Sequence, residues 1–215
     1  MAIEAKICGV NTPESVAAAA GGGAAFIGLN FYAPSPRAVT PELAAALARL
    51  TPPQVKRVGL FVDPDDETLA RVLAQVPLEL IQLHGGEAPR RIAAIKDRFG
   101  LPVMKAVKIA TAADLAAADE IEQVADRLLF DAKAPKSMKH ALPGGNAVAF
   151  DWRILAGRSW RKPWMLSGGL DAGNLAEAVT ITGARAVDVS SGVEDAPGQK
   201  SSIKIKDFLD RARAL

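Results

Sequence analysis

The chain has 215 residues, of which 49% are hydrophobic and 23% charged, and its formal net charge is +2. That length and balance suit one globular domain with a sizeable core, and they argue against nucleic acid or an anionic membrane as partner. One cysteine, Cys8, excludes an intrachain disulfide and an all-cysteine metal cage, and the two histidines, His84 and His140, offer no metal-ligand spacing.

The segment Met1 to Lys6 lacks the charged start and apolar run of a signal peptide, and no apolar stretch reaches the roughly 20 residues of a membrane helix. The expectation is a cytoplasmic protein with no metal and no cofactor. Along the chain, short apolar runs alternate with alanine-rich amphipathic stretches. The runs are residues 5–9, 24–31, 57–62, 78–83, 103–107, 127–131, 163–167 and 186–190. Most carry Val, Ile, Leu or Phe on both faces, as strands of a doubly covered parallel sheet do.

Helix candidates lie between them. Thr12-Pro13 and Thr40-Pro41 each place Thr at an N-cap and Pro at the first helical position. Residues 65–76, 87–99, 111–124, 151–156, 171–182 and 202–214 complete the set, with Gly100 and Gly183 where C-caps are wanted. Eight such βα units predict a single (β/α)₈ barrel domain over residues 1–215, with no linker dividing it. An open doubly wound sheet usually has fewer strands and a glycine fingerprint after the first. Here Cys8-Gly9-Val10-Asn11 follows instead.

A barrel works at the C-terminal ends of its strands. Those ends carry Cys8, Ser35-Pro36-Arg37, Gln82-Leu83-His84-Gly85, Asp131, Ser167-Gly168-Gly169 and Asp188-Val189-Ser190-Ser191-Gly192. The last two loops read as a phosphate cradle through Gly168, Gly169, Ser190, Ser191 and Gly192, or as simple turns; their adjacency favours the cradle. Cys8 reads either as a small buried core residue or, at a strand end before a glycine turn, as a base. Asp131 either caps a turn or serves as an acid opposite Cys8. Arg37, after a proline-stiffened turn, either grips a carboxylate or lies in solvent. His84, with Gln82 and Asp188, belongs to the substrate pocket, unless His84 is only a satisfied structural residue. Lys133, Lys136 and Lys139 sit on a long loop after Asp131 that is able to act as a lid.

In order along the chain, Lys6-Ile7-Cys8-Gly9, Ser35-Pro36-Arg37, Gln82-Leu83-His84-Gly85, Phe130-Asp131-Ala132, Phe150-Asp151-Trp152, Ser167-Gly168-Gly169-Leu170 and Val187 to Glu194 resemble the motifs of phosphoribosylanthranilate isomerases, nearly over the whole chain. The resemblance implies a cofactor-free Amadori rearrangement of N-(5-phosphoribosyl)anthranilate in tryptophan biosynthesis. It makes Asp131 the general acid at the furanose oxygen, Cys8 the base at C2, Arg37 the carboxylate holder and the two glycine loops the phosphate holders. It implies a small-molecule partner alone, and a monomer or homodimer. The chain departs from the family at Gly144-Gly145-Asn146-Ala147, where Gly-Gly-Thr-Gly is frequent, and at Ser201, where an acidic residue is usual. Other readings are a synthase barrel, which is expected to carry a longer N-terminal extension, a metal-dependent epimerase, which wants paired histidines, and a phosphosugar binder, which needs neither Cys8 nor Asp131.

Overall fold

The computed structural model describes residues 3–135, 137–138, 142–146 and 148–215. Eight parallel strands close into a barrel in chain order, the last pairing back to the first. They are β1 (Glu4–Cys8), β2 (Phe26–Asn30), β3 (Lys56–Phe61), β4 (Leu80–Leu83), β5 (Val103–Ile109), β6 (Arg127–Ala132), β7 (Trp164–Leu166) and β8 (Ala186–Val189). The helices are α1 (Pro13–Gly21), α2 (Pro41–Leu50), α3 (Asp66–Leu73), α4 (Pro89–Phe99), α5 (Leu115–Ile121), α6 (Leu175–Thr182) and α7 (Ser202–Ala214).

Local chemistry sets these boundaries. Thr12 and Thr40 accept backbone N–H bonds from Ser15 and Leu43, with Pro13 and Pro41 opening their helices. Gly100 and Gly183 close α4 and α6 in the left-handed conformation, with φ of 65° and 69°. One expectation fails in kind. After β6 the stretch 151–156 makes only a 3₁₀ turn, Trp152–Leu155, capped by Asp151. A four-residue piece closed by the half-buried Trp152 and Trp160 packing on the core is too short to build a full α-helix. One element was not foreseen: a small antiparallel ladder of β9 (Glu194–Ala196) with β10 (Gln199–Lys200) after β8.

Side chains two apart on a strand share a face, so the barrel interior is filled in layers. Phe26, Val58, Leu80, Met104, Leu129, Met165 and Ala186 make an apolar floor that is separate from the larger core between strands and helices. Above that floor the inward residues turn polar: Lys6, Gln82, Asp131, Ser167 and Asp188 are all buried. Residues one step further up, such as Cys8, Asn30 and His84, reach the open mouth. No described helix is long and apolar enough to cross a membrane.

Candidate active site

The mouth holds an open cleft ringed by the strand ends. Cys8, Arg37, His84, Asp131, Gly168, Gly169, Asp188, Ser190 and Ser191 all line it, brought there by six different strand ends. Among the described residues no group of three His, Cys, Asp or Glu side chains is placed to hold a metal ion.

On one side stands Asp131, near the end of β6 and 5% exposed. Its Oδ1 accepts the Ala132 N–H at 2.9 Å, and its Oδ2 lies 2.9 Å from His84 Nε2. His84 Nδ1 in turn lies 2.9 Å from the Gln82 amide nitrogen, so the chain Gln82–His84–Asp131 runs from the buried layer up to the mouth. Either ring tautomer fits these contacts, because with the Gln82 amide turned over its carbonyl oxygen accepts from Nδ1 and Nε2 accepts from the Asp131 carboxyl. The loop 142–146 lies against this pair. A side chain at Gly144 would stand 2.7 Å from His84 Nε2 and 3.0 Å from Asp131 Oδ2, so only glycine lets the backbone come this close. Asn146 ties the loop into a tight turn, accepting from Leu142 N–H at 2.9 Å and donating to its carbonyl at 2.7 Å. The departure from the usual motif thus leaves the turn closed by a side-chain clasp.

On the opposite side Cys8 ends β1. Beneath it Lys6 Nζ donates to Asp188 Oδ1 at 2.8 Å, and Ser167 Oγ donates to Asp188 Oδ2 at 3.1 Å. Burial pushes the Cys8 thiol up, opposed chiefly by the Lys6 ammonium. Burial works equally against the charge on Lys6, yet Asp188 and Cys8 hold it above the usual lysine value.

Between the two sides, Arg37 is 4% exposed. Its Nε and Nη2 grip Glu194 Oε1 and Oε2 in a fork at 2.7 and 2.8 Å, and Nη2 also donates to the Gly145 carbonyl at 3.2 Å. Lys200 Nζ completes the cluster, donating to Glu194 Oε1 at 2.6 Å and to the Ser190 carbonyl at 3.0 Å. Burial works to raise the Glu194 pKa, but Arg37 and Lys200 together hold it below the usual carboxylate range. Burial pushes Lys200 down even with Glu194 beside it.

Comparison with known proteins shows the family. The family model for N-(5'-phosphoribosyl)anthranilate isomerase matches residues 5–211. The chain belongs to the phosphoribosylanthranilate isomerase family. It is 62% identical to the N-(5'-phosphoribosyl)anthranilate isomerase of Rhodospirillum centenum, with 100% of each chain covered. A crystal structure of the phosphoribosylanthranilate isomerase from Thermotoga maritima superposes with a TM-score of 0.88 at 34% identity, covering 99% of this chain and 100% of the other. Another solved phosphoribosylanthranilate isomerase, in complex with reduced 1-(o-carboxyphenylamino)-1-deoxyribulose 5-phosphate, gives 0.85 at 34% identity over the same shares.

Most residues singled out from the family motifs converge on the cleft, and two do not. Gln82 lies a layer below and touches the site only through His84, because it stands two positions earlier on the inward face of β4. Gly192 does not line the cleft: a side chain there would run into the Leu170 carbonyl, so its smallness serves the packing of the two glycine loops on each other. Asp188 does face the cleft, with its oxygens engaged by Lys6 and Ser167. Lys133 pairs with Asp114 at 2.9 Å on the outer surface, while Lys136, Lys139 and His140 lie outside the described residues.

Three contributors were not legible beforehand: Lys6, Glu194 and Lys200. The motif residues Lys6 and Glu194 were in plain view, but each finds its partner far along the chain, 182 and 157 positions away. A charged residue in the middle of an otherwise apolar strand, as Lys6 is, was the one available signal.

Proposed function

We propose that this chain catalyses the isomerisation of N-(5'-phosphoribosyl)anthranilate to the phosphorylated carboxyphenylamino-deoxyribulose, an Amadori rearrangement in tryptophan biosynthesis. The observation that carries this reading is one cleft lined by a thiol, a carboxyl group, an arginine and two paired glycine-serine loops. An aldose-to-ketose shift needs one proton given to the ring oxygen and one taken from C2, and such a pair supplies both.

Asp131 delivers a proton to the furanose oxygen as the ring opens to a Schiff base, with His84 on its Oδ2 sharing the hydrogen. Cys8 then removes the C2 proton, and the resulting enolamine tautomerises to the ketone. The thiolate is the form that acts, and because burial raises the thiol's pKa, activity climbs with pH on the alkaline side. Arg37 faces the anthranilate carboxylate, its fork already fixed in place by Glu194, which limits the entropy lost on binding. Gly168, Gly169, Ser190 and Ser191 hold the phosphate, where the loops after the seventh and eighth strands of such barrels commonly do. The enzyme works in the cytoplasm, as a monomer or homodimer, on a small-molecule substrate, with no metal or cofactor.

The test is a fluorescence assay with freshly generated N-(5'-phosphoribosyl)anthranilate, following loss of the anthranilate signal. Product is confirmed by coupling to indoleglycerol-phosphate synthase, since the substrate also hydrolyses spontaneously. Turnover without added metal is expected. A folded protein that binds the substrate without turning it over would reduce the chain to a phosphosugar binder.

A further inference from the structure

We infer that Lys6 is a positioning residue for the reaction: its ammonium, held by Asp188, shares with the Cys8 sulfur the space left by the missing side chain at Gly28 and favours the thiolate. The inference rests on the reading of Cys8 as the base.

Lys6 is 0% exposed, in the centre of the barrel. Taking an ammonium out of water is costly, and a pair of well-packed apolar residues serves stability as well as a buried ion pair does. Stability therefore gives no reason for Lys6–Asp188, and its surroundings supply another. Lys6 and Cys8 are two apart on β1, so they share the inward face, one above the other. Directly across the ladder Cys8 is paired with Gly28 of β2. A Cβ at Gly28 would lie 2.9 Å from Lys6 Nζ and 3.0 Å from Cys8 Sγ, so ammonium and sulfur flank the same small void. Gly28 has no left-handed backbone to satisfy; space is what it provides.

The other charges facing Cys8 fit the same reading. Asp188 on β8 disfavours a second negative charge, but it is spent on Lys6 and Ser167. Lys200 on β10 adds a weaker cationic pull, and Asp131 and His84 stand across the cleft. Of the cations, Lys6 exerts the largest pull on the thiol.

The sequence contains a single cysteine, so alkylation reports on Cys8 alone. The experiment follows carbamidomethylation by iodoacetamide as a function of pH, by mass spectrometry, beside the kcat–pH profile. Three variants are compared with the wild type: Lys6→Met, the double variant Lys6→Met/Asp188→Asn, which removes both members of the pair and strands no buried charge, and Gly28→Ala. Melting curves establish that each is folded. The alkylation midpoint should rise by about one pH unit in the double variant, with roughly tenfold slower modification below the midpoint, and the alkaline rise of kcat should move with it. Gly28→Ala, which fills the space between the ammonium and the sulfur, should shift both in the same direction by less. An alkylation midpoint unchanged in every folded variant overturns the proposal. A shifted midpoint in a protein whose wild type has no isomerase turnover overturns instead the reading of the reaction, and leaves the Lys6–Cys8 coupling standing.

Discussion

The two reactive sides of the mouth are built on the same plan and filled with opposite chemistry. On each, a group at the mouth is backed by polar partners from the strands of the ring: Asp131 by His84 and Gln82 at the end of β4, Cys8 by Lys6 on its own strand and Asp188 on the adjacent one. Behind the carboxyl stands an imidazole–amide chain with no fixed charge. Behind the thiol stands a permanent ammonium. The difference fits the roles proposed above, since an ammonium beside a thiol favours its thiolate and an uncharged imidazole–amide chain does not do the same to the carboxyl group.

Removing either reactive group breaks the comparison outright. Asp131→Asn and Cys8→Ala should each lower kcat by roughly 10²–10⁴-fold while the melting curve stays cooperative. Activity within about tenfold of wild type in either variant would remove that group from the mechanism. Arg37→Ala should act differently, mainly through KM, because its proposed role is to bind the substrate carboxylate. An unchanged KM would place the substrate carboxylate elsewhere.

The support on the acid side is sharpened by His84→Gln, which can still hydrogen-bond Asp131 but cannot exchange a proton with it. A fall in kcat of roughly tenfold is expected, smaller than for Asp131→Asn, with KM little changed. A loss as large as that of Asp131→Asn would make His84 itself the donor.

The charge cluster around Glu194 gives a pH signature. Its carboxylate pKa is depressed in the folded state by Arg37 and Lys200. Stability from that pair is therefore complete above the unfolded carboxylate value and is lost as pH falls through the lower, folded one. Urea midpoints measured from pH 7 down to pH 3 should fall less steeply in Glu194→Gln than in the wild type, and parallel curves would mean that the cluster is not linked to folding. The smallest effect is expected far from the chemistry. Asp114 accepts the backbone N–H groups of Ala110 and Thr111 ahead of α5, and its side chain pairs with Lys133. Asp114→Ala should cost about 1 kcal/mol of stability, read from chemical denaturation, and leave kcat unchanged.

The barrel itself was legible because each of its units announces its own ends. Thr-Pro openings, left-handed glycine closures and short apolar runs are local signals, and the strands fell where those runs do. Where local signal was thin, the reading faltered. Glu194–Ala196 and Gln199–Lys200 are too short and too polar to register as strands, and they form because Glu194 is anchored by Arg37 and Lys200. The mouth residues were visible as strand ends, but the depth of each was not. Gln82 and His84 are two positions apart and only one reaches the cleft, because layers inside a barrel depend on how strands stagger around the ring. The backing of Cys8 was hidden for a simpler reason: its carboxylate comes from the far end of the chain.

That separation bears on how the enzyme comes into being. Asp131 meets His84 across 47 residues, so the acid side can assemble once the chain is made through β6. Lys6 meets Asp188 across 182, and only when β8 docks beside β1 does the ring close and the buried ammonium find its counter-ion. Contacts of such long reach form late, because the loop entropy must be spent before they repay it. Newly made chain therefore passes through a stage in which the Asp131–His84 pair is formed and the Lys6–Asp188 pair is not, and the mouth is complete only with the final strand.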